Sequence, residues 1–153
     1  LGQPAVPLLL TALGHEDWGA RQGAAVALGK LGAALDDESL RQEILPPLAR
    51  LLRDGDARVR LAAVRALGQI GDCLENADAW GQLVTALSAA IRDPDQQVRE
   101  AAANALGRTG GSRAVVALLT ALEDPDAGVK RAVTKSLDRL AKEQGIDTGP
   151  TRA

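Results

Sequence analysis

From Asp56 to Gly71 the chain reads DARVRLAAVRALGQIG, with Val59, Ala63, Ala66, Leu67 and Ile70 at i, i+4, i+7, i+8 and i+11. That spacing places them on one face of an α-helix and leaves charged residues on the other. The pattern returns after Asp17 as Ala20, Ala24, Ala27, Leu28 and Leu31, and after Asp95 as Val98, Ala102, Ala105, Leu106 and Thr109. After Asp126 it is Val129, Val133, Ser136, Leu137 and Leu140. Successive copies are 39, 39 and 31 residues apart. The Asp at the head of each copy suits an N-cap, where its carboxylate accepts hydrogen bonds from the free amides of the first turn.

A second apolar series precedes each copy: Val6, Leu9 and Leu13, then Leu45, Leu48 and Leu52, then Val84, Leu87 and Ile91, then Val115, Leu118 and Leu122. These predict a first helix in each unit. The turns between the two helices read GHED, DGD, DPD and DPD, and Pro94 and Pro125 fit the second position of such turns. Pro7, Pro46 and Pro47 fall within or near the start of first helices, which they are expected to kink or delay. Neither helix of a unit can bury its apolar stripe alone, but stacked hairpins can. The pattern therefore predicts an all-α solenoid of four stacked helix-turn-helix units, about 4–38, 39–77, 78–110 and 111–142, forming one domain over 1–142. The longer junctions after Gly32 and Gly71 extend a helix or form a surface loop, with Asp36, Asp37 and Glu38 in the first of them. Residues 143–153 lose the period and read as a frayed tail or linker.

Composition agrees with a helical reading. The 153 residues include no Phe, Tyr or Met, and Trp18 and Trp80 are the sole aromatics. Ala and Leu are strong helix formers, whereas sheets favour aromatic and β-branched residues. A start at Leu1 without any Met points to a piece of a longer protein. No run of eighteen apolar residues supports a membrane span. The lone Cys73 cannot form an intramolecular disulfide, and a cytoplasmic setting is expected.

The segments DARVRLAAVRALGQIG and DPDQQVREAAANALG, each preceded by a Leu-rich helix, resemble HEAT repeats. The 31-residue spacing resembles the short bacterial HEAT-like class. The resemblance covers about residues 4–142 and implies a right-handed superhelix whose second helices line a groove for a protein partner. It also implies a structural ladder. The basic column Arg21, Arg60, Arg99 and Lys130, four residues after Asp17, Asp56, Asp95 and Asp126, would reach an Asp of its own or the neighbouring unit. The fourth unit departs from the pattern, with Asp138 where Gly29, Gly68 and Gly107 stand in the others, as a terminal cap would.

Little in the sequence points to catalysis. HEAT-like iron hydroxylases carry repeated His-Glu pairs as metal ligands. Here His15–Glu16 occurs once, in a turn, and the slots that would match are Gln22–Gly23, Leu61–Ala62, Glu100–Ala101 and Arg131–Ala132. A single His with one carboxylate is a poor metal site. No phosphate-loop, CxxC or GxGxxG motif is present. Neither a catalytic residue nor a cofactor or metal site is predicted, and an enzyme role such as that of the HEAT-like bilin lyases ranks third.

Charge is more informative. One stripe on the second helices runs Gly19, Gln22, Val26, Lys30; Arg58, Leu61, Arg65, Gln69; Gln97, Glu100, Asn104, Arg108; and Gly128, Arg131, Lys135, Arg139. It holds seven basic residues and one acidic, a net +6 in a chain of net −2. In a solenoid it lines the concave face. Lys30, Arg58, Arg65, Arg108, Arg131, Lys135 and Arg139 are therefore the candidate partner-binding residues. Arg41, Arg50 and Arg53, on a first helix, lie off the stripe. The sequence points to a scaffold or adaptor that binds another protein, another domain of the parent chain or an acidic peptide. Nucleic acid is the alternative, disfavoured by the lack of stacking aromatics.

Overall fold

A computed structural model of the chain describes residues 5–109 and 111–145. Among them are eight α-helices and no strand: Ala5–Ala12 (α1), Trp18–Ala34 (α2), Glu38–Arg50 (α3), Ala57–Gly71 (α4), Ala77–Ala90 (α5), Gln96–Thr109 (α6), Ser112–Leu119 (α7) and Ala127–Glu143 (α8). A 3-10 turn, Leu51–Arg53, follows α3. The even helices pack in order, α2 on α4, α4 on α6 and α6 on α8, and form one layer. The odd helices form the second layer, each against its own even partner. Of the expected tail, residues 146–153 lie outside the described residues.

Each even helix starts where its Asp predicts. Asp17 accepts from the Ala20 amide, Asp56 from Arg58, Asp95 from Gln97 and Val98, and Asp126 from Val129. Val59, Ala63, Ala66, Leu67 and Ile70 are buried in the centre of the core. Removing a leucine side chain such as Leu67 from water contributes about 1.5–3 kcal/mol. In the first helices Ile44, Leu45, Leu48, Leu83, Leu87 and Leu118 are likewise buried. Leu122 differs from expectation: it is 39% exposed, because α7 ends at Leu119 and the chain has already turned away.

The expected delay by proline does not occur. α3 begins at Glu38 and runs through Pro46 and Pro47. The two carbonyls that lose an amide partner belong to Gln42 and Glu43, which are exposed residues that water can serve. The residues after Gly32 extend α2 to Ala34 and then lengthen α3, which Asp37 caps through the Leu40 amide. Glu38 reaches across to accept from the amides of Asn76 and Glu75, and these hydrogen bonds hold its carboxyl below the usual carboxylate range. Arg41, 5% exposed, donates to the Gly32 and Leu35 carbonyls and fastens the α2–α3 junction.

The even helices meet at their glycines. A Cβ built on Gly29 would lie 2.7 Å from both Cα and Cβ of Ala66. On Gly68 it would lie 3.2 Å from Ala105 Cβ, and on Gly107 it would strike Ser136. Each glycine faces the following unit, whose helix supplies a small residue at the crossing. In α8 that forward position is Asp138, and the forward Ala25, Val64 and Ala103, all buried, are replaced by exposed Thr134. Gly111 has a different constraint. Its φ is +87°, and a Cβ there would meet the Trp80 ring at 2.6 Å, while the indole N–H donates to the Thr109 carbonyl.

Candidate functional site

The basic column joins successive turns. Arg21 donates from Nε and Nη2 to Asp54 at 2.8 and 3.1 Å. Arg60 holds Asp93 at 2.9 and 3.2 Å, and Arg99 holds Asp124 at 2.9 and 3.3 Å. The remaining Nη1 donates backward to carbonyls of the unit's own turn: His15 and Glu16 for Arg21, Asp54 for Arg60, Asp93 and Pro94 for Arg99. Each guanidinium thus ties one turn to the next. The carboxylates of this ladder are not the capping Asp17, Asp56, Asp95 and Asp126. Those are taken up by first-turn amides, and the ladder uses the Asp two residues earlier. Asp54, Asp93 and Asp124 each also accept the amide of the cap residue at 2.9 Å. In the first turn His15 takes this place, its Nδ1 accepting from the Asp17 amide at 3.0 Å. The Lys130 side chain makes no hydrogen bond or ion pair among the described residues.

The seven cations of the stripe are all exposed and sit on the even-helix face. They divide into two groups. Arg58 pairs with Asp56 at 2.8 Å and lies 3.4 Å from the centroid of the Trp18 ring, a cation–π contact between the first two units. Arg108 approaches Asp72 at 3.7 Å, and Arg139 approaches Glu143 at 3.4 Å. Lys30, Arg65, Arg131 and Lys135 have no carboxylate partner among the described residues. Two clefts open between neighbouring even helices on this face. One of about 400 Å³ between α4 and α6 is lined by Arg65, Glu100, Asn104 and Arg108. The other, about 260 Å³ between α6 and α8, is lined by Asn104, Arg108, Lys135 and Arg139. Asn104 and Arg108 belong to both clefts. Lys30, Arg58 and Arg131 line neither; Arg131 lines a separate concavity of about 730 Å³ along α8 with Lys135 and Arg139. Among the described residues no three of His, Cys, Asp and Glu are grouped to hold a metal ion, and no helix is long and apolar enough to cross a membrane.

The turn carboxylates that complete the ladder were not identified from the sequence, although D-x-D in three turns was their signal. The Trp18–Arg58 contact had no signal in helical periodicity, because it joins two units.

The family described as HEAT repeats matches residues 82–148, the HEAT-like repeat family matches 18–70, and the PBS lyase HEAT-like repeat matches 59–93. No curated protein sequence matches the chain. Several solved structures share the fold. An engineered protein superposes with a TM-score of 0.67 at 24% identity, covering 89% of this chain and 62% of its own. A designed armadillo repeat protein in complex with the peptide (KR)4 does so with a TM-score of 0.68 at 19% identity, covering 90% and 64%. The archaeal HEAT-like repeats protein from Thermococcus onnurineus NA1 gives 0.59 at 23% identity, covering 92% and 57%. The chain spans less than two-thirds of the length of each. Stacked helix pairs, a turn-to-turn arginine ladder and repeat families matching from residue 18 to residue 148 lead to one conclusion: this chain is a HEAT-like repeat protein.

Proposed function

We propose that the chain is a protein-interaction scaffold that binds an acidic peptide or the acidic surface of a partner through its even-helix face. The observation that carries this reading is the pair of adjoining clefts that share Arg108 and bring Arg65, Lys135 and Arg139 together from three units. Guanidinium groups fixed on rigid helices suit carboxylates, which they can meet with two parallel hydrogen bonds. The designed armadillo relative is in complex with the peptide (KR)4; the face of this chain is itself basic and suits an acidic peptide. The buried or ladder-bound polar groups account for the fold, so the unpaired cations remain for a partner.

The test reverses charges that have no internal role. Arg65→Glu, Arg131→Glu and Lys135→Glu together leave the core and the ladder intact. Arg108 is a poorer choice, since a carboxylate there would face Asp72. Arg41 is no control either, because it is buried in the α2–α3 junction. Binding of a fluorescein-labelled hexaglutamate peptide, followed by anisotropy at low salt, is expected to fall about tenfold or more in the triple variant. Unchanged affinity in a folded triple variant refutes this reading.

A further inference from the structure

A larger concavity than the even-helix clefts lies on the other side. Between α3, α5 and α7 the odd-helix layer opens into a groove of about 1150 Å³. Its floor is the outward face of α5, where Ala77, Gly81, Thr85 and Ala89 follow at intervals of four. Its walls carry Arg50 and Arg53 from the end of α3, Arg92 from the end of α5 and Arg113 from the start of α7. A smaller cleft of about 460 Å³ shares Ala89, Arg92 and Arg113 and continues past Val116, which is 64% exposed.

The four arginines share one property with Arg65 and Arg131 of the even-helix face and differ in it from the other arginines of the described residues. The ladder arginines are saturated, Arg41 is bound to carbonyls, and Arg58, Arg108 and Arg139 have carboxylates. Arg50, Arg53, Arg92 and Arg113 are exposed and make no side-chain hydrogen bond or ion pair among the described residues. Helix C-termini stabilise cations at three of these positions, yet none of the guanidiniums turns back to a helix carbonyl. Arg113 extends over the floor instead: a Cβ on Gly81 would lie 3.0 Å from its Nη1. The acidic lining residues are Asp78 and Asp93, and Asp93 is committed to Arg60.

We propose that this groove is a second docking surface, which takes an acidic helical segment of a partner protein laid along α5. The floor from Ala77 to Ala89 is about 18 Å long at 1.5 Å per residue, the length of a three-turn helix. Its small side chains let a helix axis approach to about 8 Å. Arginines on both walls would then meet carboxylates on both flanks of the guest, with Val116 and Leu52 touching its apolar residues. Residues 146–153, IDTGPTRA, carry one Asp and one Arg and lack the acidic character of such a guest. The groove shares no residue with the even-helix clefts, so the two surfaces stand or fall separately.

The probe is an acetylated, amidated, fluorescein-labelled peptide of three EAALEAA repeats, added to the full ¹⁵N-labelled chain. Amide shifts are expected to concentrate at Ala77, Gly81, Thr85 and Ala89. Arg50→Glu, Arg53→Glu, Arg92→Glu and Arg113→Glu together are expected to weaken binding about tenfold or more, while the Arg65, Arg131 and Lys135 reversals leave it within about twofold. If the fourfold reversal does not fold, the four Arg→Gln substitutions serve, with a loss in the same direction. A peptide in which Lys replaces Glu should not bind. The proposal is overturned if the acidic peptide does not bind, if the shifts fall on α6 and α8, or if binding survives in the folded variant. Tighter binding of a short DNA duplex than of the peptide at the same amides also overturns it, and assigns the groove to nucleic acid.

Discussion

Two glycines of α2 should respond to the same mutation with opposite sign. Gly23 and Gly29 both lie inside Trp18–Ala34. Replacing either by Ala gains about 0.8–1 kcal/mol of helix propensity. A Cβ on Gly23 meets nothing within 4 Å, so Gly23→Ala should be stabilising by about that amount. On Gly29 the Cβ would sit 2.7 Å from the Ala66 Cα, where ordinary contact begins at 3.4 Å. That atom is backbone, so no rotamer change relieves the clash, and α4 must withdraw from α2 by several tenths of an ångström. Overpacking of this kind costs about 1–3 kcal/mol. Since both variants share the propensity gain, the difference between them isolates the steric cost. It should appear as about 2–12 °C in Tm for a chain of this size. Thermal and urea unfolding followed by circular dichroism at 222 nm would measure it, with comparison restricted to variants of equal urea slope. Equal Tm values for Gly23→Ala and Gly29→Ala would refute the close helix contact from which the argument starts.

Asp93, at 6% side-chain exposure, is held by both donors of Arg60. Asp93→Ala should lower stability by about 3 kcal/mol by stranding the Arg60 guanidinium, and adding Arg60→Met should recover part of the loss; Lys130→Ala, at the unpartnered end of the column, should change the urea midpoint little. The Asp56 carboxyl is drawn from 3.8 down to about 2, first by the Arg58 guanidinium and then by the Arg58 amide. Because the folded value is depressed, its contribution is present in full above about pH 4 and is lost as pH falls through 2. Carboxyl-detected NMR titration should place the Asp56 midpoint near 2 and move it toward 3.8 in Arg58→Ala.

The repeat period and the capping residues were readable because both are local. Val59, Leu67 and Leu106 lie on faces that the 3.6-residue period defines, and Asp95 caps α6 with amides two and three residues away. Relations between units were less readable. Arg60 stands four residues after Asp56, yet its partner is Asp93, a choice set by how far the next turn is displaced along the stack. The glycine column carried a clear signal, a helix-weakening residue at one position in three units, but its cause is an interhelical distance. The odd-helix groove had no signal in periodicity: Ala77, Gly81, Thr85 and Ala89 read as an unremarked exposed face until α3 and α7 stand on either side of them. The prolines of α3 misled because their lost hydrogen bonds fall on the solvent side.

The glycines and arginines all point the same way along the chain, each unit offering a small forward surface and a forward guanidinium to the turn that follows. Such a contact is head-to-tail, and a head-to-tail contact that does not close on itself can propagate into a fibre. Asp138 interrupts it. Where α2, α4 and α6 present a bare Cα, α8 presents a carboxylate, at a crossing with no room even for a methyl group. A second copy arriving with its α2 would meet that charge, and His15 would offer Lys130 no carboxylate. The rule that builds the array therefore sets an electrostatic penalty against stacking the α2 of a second copy on α8.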